Sequence, residues 1–293
     1  MAASLERILI VGTGLLGASA GLALREAGFS GSILGWDKDP AQLRVAFERG
    51  AVTVGVSDAE QALAAAGNAD LVLLCGPVYS ILDWMQSLAR QLHAGQLITD
   101  VGSTKAQITA AAEELFASPQ RATFLPGHPM AGREISGAAA ADAALFRGAA
   151  WIFTATPQLL PTTEQQDLAL AWRQWVGRIG AIPIDLDPVV HDQQLAWTSH
   201  LPQFLATALA AELQSRLDPD PAHGQIGGRA LREMTRLGSS PFSMWRDIAA
   251  TNADAIAAAL LAVEQRLAHI RENLRTPELR EEFDRANRFR SRL

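Results

Sequence analysis

Cysteine is nearly missing from this chain. Cys75, in the apolar run LVLLCGP, is the only one, so no internal disulfide can form. That fits a reducing compartment, and a small buried hydrophobe is the plain reading of the residue. Lysine is scarce, and aromatic residues make up only 6% of the chain despite seven Trp. Basic charge is not in excess: 25 Lys and Arg face 31 Asp and Glu, for a formal charge of −6. Without a broad positive field, nucleic acid is not an expected partner, although a local basic pocket for a small dianion is compatible with this balance. No uncharged apolar stretch reaches 18 residues, and no basic segment leads into an apolar run near Met1. Neither a membrane span nor a secretory signal is therefore expected, and the cytoplasm is the expected location. His128, His191 and His200 have no compact H-x-x-H spacing and no cysteine cluster beside them, so no metal is expected. The absence of a G-x-S-x-G elbow removes support for a hydrolase triad.

What is present is a globular composition of 293 residues, 48% of them hydrophobic, enough for one large or two ordinary domains. Residues Ile8 to Ser19 read ILIVGTGLLGAS, an apolar run followed by Gly12, Gly14 and Gly17 in G-x-G-x-x-G spacing. This is the order of a strand, a tight turn and a helix N-terminus in a dinucleotide site. Gly12 would allow the turn, Gly14 would admit the pyrophosphate to the backbone, and Gly17 would let the helix lie close to the strand. Asp37 lies 25 residues beyond Gly12, near the usual offset of about 20 for the acid that binds the ribose. A carboxylate there accepts from the ribose hydroxyls and repels a 2′-phosphate, which favours NAD over NADP. Lys38 beside it pulls the other way. The candidate cofactor residues are Gly12, Gly14, Leu15, Leu16, Gly17 and Asp37, with Cys75, Gly76, Pro77 and Ser103 after neighbouring strands.

Strands are expected at Arg7–Val11, Gly31–Trp36, Leu71–Cys75, Gln96–Asp100, Thr123–Pro126, Ala150–Thr154 and Ala181–Asp185. Several are nearly continuous runs of Ile, Leu and Val, as in a parallel sheet covered on both faces. Helices are expected at Gly17–Ala27, Pro40–Arg49, Asp58–Ala66, Ile81–Leu92, Lys105–Leu115 and Thr163–Ile179. Asp58 and Ser80 are candidate caps. After Asp187 the pattern becomes helical throughout: His191–Leu217, Ala222–Leu237, Met244–Ala250, Asn252–Asn273 and a solvated tail from Glu278 to Leu293. Pro188 suits the first turn of the long helix. The expected architecture is a mostly parallel α/β domain, residues 1–186, followed by an all-α domain, residues 187–293. The apolar positions on these long helices suggest pairing with a second copy.

Two loops at the ligand-binding edge of the expected sheet carry candidate chemistry. In Asp100-Val-Gly-Ser-Thr-Lys105, Ser103 could hydrogen-bond a substrate or tune an imidazole, or it could be an ordinary turn residue. Lys105 could cap, pair with a carboxylate or begin a helix. In Gly127-His-Pro-Met-Ala-Gly-Arg-Glu134, His128 is placed to reach a nicotinamide and can accept a proton near neutral pH. In the helical half, Pro202 is expected to interrupt the long helix beside His200, either aiming that imidazole at a cleft or leaving it as a polar residue at a kink. Arg236, in LREMTRLGSSP, can bind a carboxylate bidentately or form a surface salt bridge.

These segments together (VGTGLLGAS, DVGSTK, GHPMAGRE with Gly137, HDQQLAWTSHLPQ and LREMTRLGSSPFSMWRDI) resemble the prephenate dehydrogenase family, which includes cyclohexadienyl and arogenate dehydrogenases. The resemblance spans Gly12 to Ile248 in family order, and its last two segments are the most specific. It implies a Rossmann-type domain followed by a helical dimerisation domain, a homodimer, and NAD-dependent oxidative decarboxylation of prephenate in tyrosine biosynthesis. By matching residue, it implies that His128 accepts the proton of the ring hydroxyl and that Ser103 orients that histidine and touches the hydroxyl or nicotinamide. It further implies that His200 positions the substrate and that Arg236 grips a carboxylate. Arg133 departs from the threonine or serine often found there, which opens the choice between prephenate and arogenate: it would contact the pyruvyl side chain or face solvent. Other two-domain NAD(P)-dependent hydroxyacid or imine oxidoreductases are a rival reading, but they place a lysine or another acid/base group in the helical half, where no convincing lysine occurs. A catalytically silent NAD-binding regulator is the rival from another class.

Overall fold

A computed structural model describes residues 5–133, 135–217 and 226–292. The apolar runs form strands β1 (Arg7–Val11), β2 (Ser32–Trp36), β3 (Val54–Gly55), β4 (Leu71–Leu74), β5 (Leu97–Asp100) and β6 (Thr123–Leu125). They make one six-stranded parallel sheet in the order β3-β2-β1-β4-β5-β6. Because side chains alternate across a strand, Ile8 and Ile10 of β1 join Leu71 and Leu73 of β4 in one core. Leu9 and Val11 join Val72 and Leu74 in the core on the other face. Burial on both sides explains why these strands read as unbroken apolar runs.

Crossover helices α1 (Leu15–Glu26), α2 (Pro40–Glu48), α3 (Ala59–Ala66), α4 (Val78–Leu88) and α5 (Ala106–Phe116) join these strands. Asp58 caps α3 by accepting from the Gln61 N–H at 2.8 Å, as expected from the sequence. Ser80 does not cap α4. That helix begins two residues earlier, after Pro77, and makes no local side-chain cap bond. Its Tyr79 N–H instead donates to Asp247 of the helical half at 3.2 Å.

Strand alternation alone does not reveal that the chain then leaves the main sheet. Pro126, which has no N–H to donate, follows β6. Strands β7 (Gly127–Pro129), β8 (Ala150–Phe153) and β9 (Ile182–Asp185) form a second, three-stranded sheet in the order β7-β8-β9. The first pair is antiparallel and the second parallel. His128 is therefore the central residue of a strand, paired with Ile152, and not a loop residue. Helix α6 (Thr163–Arg178), capped by Thr162, packs its buried Trp172 against Trp151 of β8 with ring centroids 5.9 Å apart.

The second half is helical: α7 (Pro188–Leu195), α8 (Leu201–Arg216), α9 (Gly228–Thr235), α10 (Phe242–Thr251), α11 (Ala253–Glu272) and α12 (Glu278–Arg290). Pro188 occupies the first turn of α7, and Asp187 caps it through the Val189 and Val190 N–H groups. The expected break at Pro202 lies elsewhere. A π turn, Ala196–His200, separates α7 from α8, and Pro202 sits in the first turn of α8, where its missing N–H costs little. Of the helix expected over 222–237, residues 222–225 lie outside the described ones, as does Leu293 of the tail. The described remainder ends in a 3-10 turn, Arg236–Ser239. Among the described residues no helix is long and apolar enough to cross a membrane.

Candidate active site

The glycine turn at the end of β1 is shaped by two close approaches. Gly12 has φ +96°, and a Cβ there would lie 2.4 Å from the Cys75 carbonyl oxygen. A Cβ on Gly17 would lie 2.0 Å from the Gly12 carbonyl oxygen, so only glycine lets α1 start this close to the strand. Gly14 is different: among the described residues, nothing beyond its own stretch of chain lies within 4 Å of the position its Cβ would take. It is also the N-cap residue of α1, and no side chain caps that helix. Open space in front of free N–H groups is what a pyrophosphate needs.

Asp37, just beyond β2, accepts from the Thr13 N–H at 2.7 Å and from the Asp39 N–H at 2.9 Å. These bonds pin the carboxylate over the turn and leave it capacity for ribose hydroxyls. Lys38 is exposed. Desolvation, then Asp100 and Asp37, pushes the Cys75 thiol up, so it stays neutral and inert.

One strand further along, Lys105 is a fully buried charge. Its ammonium pairs with Asp100 and donates to the Gly127 carbonyl at 2.8 Å. Burial lowers the Lys105 pKa, and Asp100 and then Asp192 oppose that. Asp100 also accepts from the Gly102 N–H at 2.8 Å and the Gly127 N–H at 3.1 Å. This pair ties the Ser103 loop to β7 and fixes the residue before His128.

The helical half reaches the same place. Asp192, on α7, accepts from the Lys105 and Ala106 N–H groups at 2.7 and 2.9 Å and so caps α5 from across the domain boundary. It also accepts from His191 Nδ1 at 2.8 Å. His191 Nε2 in turn lies 2.9 Å from His128 Nδ1. Both imidazoles are buried. Burial, then the neighbouring His191, Lys105 and His200, holds the His128 pKa well below the ordinary imidazole range.

The partner of His128 Nδ1 is thus His191 and not Ser103, which is half-buried on its loop and makes no hydrogen bond to His128. Sequence reasoning missed His191 as a site residue. Its signal was the His-Asp pair one turn into a helix that opens with Asp-Pro. His200 is buried at the end of the π turn; its Nδ1 lies 3.2 Å from Asn252 Nδ2, and its Nε2 has no partner among the described residues. Burial lowers its pKa to about 4.

Arg236 opens the 3-10 turn and is exposed. The turn is docked on α8 by Gln203, which donates to the Leu237 carbonyl at 2.7 Å and accepts from Ser240 at 3.1 Å. Gln203 is three residues past His200, so the segments bearing His200 and Arg236 are fixed to each other. Arg133 donates to Asp142 at 2.6 Å in an exposed ion pair, so its charge is already matched there. Glu134 lies outside the described residues.

Parallel strands, a glycine turn opening on an unobstructed helix start and an acid at the end of β2 define a Rossmann-type nucleotide fold. Here an all-α domain is attached to the edge where such folds take their ligands. Residues 20–182 match the prephenate dehydrogenase nucleotide-binding domain, and residues 187–287 match the prephenate dehydrogenase dimerization domain. The chain belongs to the prephenate dehydrogenase family. It is 32% identical over 249 residues to the prephenate dehydrogenase of Lactococcus lactis subsp. cremoris, covering 85% of this chain and 65% of that relative's length. The structure of Aquifex aeolicus prephenate dehydrogenase in complex with hydroxyphenyl propionate and NAD+ superposes with a TM-score of 0.86 at 29% identity, covering 99% of this chain and 98% of the other. Synechocystis arogenate dehydrogenase superposes at 0.75 with 27% identity, covering 98% and 99%.

Proposed function

We propose that this protein oxidatively decarboxylates prephenate to 4-hydroxyphenylpyruvate, using NAD+ as hydride acceptor, in tyrosine biosynthesis. The observation that carries this reading is a buried His128 on β7, its pKa held well below the ordinary imidazole range and its Nδ1 2.9 Å from His191 Nε2. The ligands of the Aquifex relative support the choice of cofactor and ring substrate. Gly12, Gly14, Leu15, Leu16, Gly17, Asp37, Cys75, Gly76, Pro77 and Ser103 would hold NAD+, which when bound takes the hydride from the ring carbon bearing the hydroxyl.

The residues of the chain do the rest. His128 accepts the hydroxyl proton as the carbonyl forms. Loss of the ring carboxylate as CO2 then makes the ring aromatic, and the proton on His128 is available to the phenolate. Ser103 contacts the hydroxyl or nicotinamide, His200 positions the substrate through its Nε2, and Arg236 grips a carboxylate. Arg133 reaches the pyruvyl side chain only if it shares or leaves Asp142. Alignment of donor and acceptor is the protein's main contribution, because aromatisation supplies much of the driving force.

The working unit is proposed as a homodimer through residues 187–293, with the nucleotide domain ending near Leu186. Exposed apolar side chains such as Ile226, Met234, Leu261 and Leu267 support this pairing. A cytoplasmic location fits the single cysteine.

Steady-state kinetics with prephenate and arogenate, each with NAD+ and NADP+, test the reading. Prephenate with NAD+ is expected to give the highest kcat/KM, and no turnover of either substrate would overturn the assignment. His128→Asn is expected to lower kcat by about 10³-fold with NAD+ affinity unchanged.

A further inference from the structure

We propose that His191 and Asp192 are positioning residues that set the tautomer of His128, so that its Nε2 is bare and faces the substrate. This rests on the function proposed above. The argument is one of hydrogen-bond polarity along a chain with a fixed end. Asp192 is that end: it already accepts from the Lys105 N–H at 2.7 Å and the Ala106 N–H at 2.9 Å, so it acts as an acceptor only. His191 Nδ1, 2.8 Å away, must therefore carry the proton and donate. A neutral imidazole protonated on Nδ1 has a bare Nε2. That atom lies 2.9 Å from His128 Nδ1, which must then be the donor of the pair. His128 is left with its lone pair on Nε2, the nitrogen not engaged by His191. Reverse any link and two lone pairs or two N–H groups face each other inside the protein.

The chain also crosses the domain boundary. His128 belongs to β7, whereas His191 and Asp192 belong to α7, and the carboxylate that orders the protons also caps α5. The helical half thus does more than present substrate ligands: it fixes which nitrogen of His128 is basic. A carboxylate behind an imidazole, holding its tautomer and orientation, is a recurrent device. Here a second imidazole is interposed, so the carboxylate acts at one remove.

The test uses the full chain labelled with ¹⁵N in its histidines. Two-bond ¹H–¹⁵N correlation spectra distinguish protonated from bare ring nitrogens. In the wild type, His128 and His191 are both expected to show protonated Nδ1 and bare Nε2. In His191→Leu, which removes the acceptor, His128 is expected to show a mixture of tautomers. Its kcat is expected to fall by about 10–100-fold while NAD+ affinity is kept. His191→Gln places an amide oxygen near the lost Nε2 and is expected to restore a single tautomer and most of the rate. A wild-type His128 protonated on Nε2, or an unchanged tautomer and kcat in His191→Leu, overturns the proposal. Should the leucine variant not fold, the wild-type spectrum and the glutamine variant still decide. Absence of prephenate turnover in the wild type would instead defeat the function proposed above, while the spectra would still report on the relay.

Discussion

The two halves of the molecule bury their side chains very differently. The nucleotide half has two apolar cores, one on each face of its sheet, with Trp151, Trp172, Phe124 and Phe146 fully enclosed. In the helical half, the buried apolar cluster among the described residues is Ala196, Ile248 and Ile256. Many of its large apolar side chains are exposed: Leu267, Leu274, Phe283 and Phe289 are each more than half accessible. What the helical half buries well is polar: His191, Asp192, His200, Asp247 and Asn252. One half packs around apolar cores of its own, whereas the other contributes buried polar contacts and leaves much of its apolar surface exposed.

The contrast can be broken most sharply in the nucleotide core. Trp172→Ala is expected to cost about 3–5 kcal/mol through the cavity it leaves. Its unfolding midpoint should fall at every protein concentration. The wild-type midpoint should itself rise with concentration if a second copy covers the helices. A concentration-independent wild-type midpoint would count against that cover.

Next in size is the seam between the halves. Asp247 is buried and caps α4 from the helical side, so Asp247→Ala should cost about 1–2 kcal/mol in denaturant unfolding. Hydrogen exchange should quicken first at the start of α4. Exchange that quickens only within the helical half would show that the seam is not held there.

Acid gives the last test. His128 and His200 are held below the ordinary imidazole pKa of 6.5, His200 at about 4. Below 6.5 the unfolded chain takes up protons that the folded chain refuses, so stability drops as pH falls from there toward 4. Turnover should persist below pH 6.5 before falling, because His128 remains neutral there. A loss of rate centred on the ordinary imidazole pKa would contradict that burial.

Much of this was legible in the residues themselves. Continuous apolar runs announced β1, β4 and β5, and Gly12, Gly14, Gly17 and Asp37 announced the turn and the acid facing it. The Asp-Pro start of α7 could be read directly. What could not be read depends on partners distant in sequence. β7 is three residues long, Gly-His-Pro, with no local strand preference, and exists because β8 pairs with it. The cap of α4 comes from Asp247, 168 positions away, so local inspection settles on Ser80. The π turn before His200 reflects packing against α11 and Asn252, not propensity. His191 escaped notice for the same reason: its role is defined by His128, 63 positions earlier.

The scarcity of lysine has a practical side. The chain has two, Lys38 and Lys105, and Lys105 is enclosed with Asp100. Acylating reagents applied to the folded protein would therefore mark the exposed Lys38, leaving the interior ammonium untouched. Uptake of a second side-chain label would then serve as a clock for opening of the β5–α5 loop, with no mutation needed.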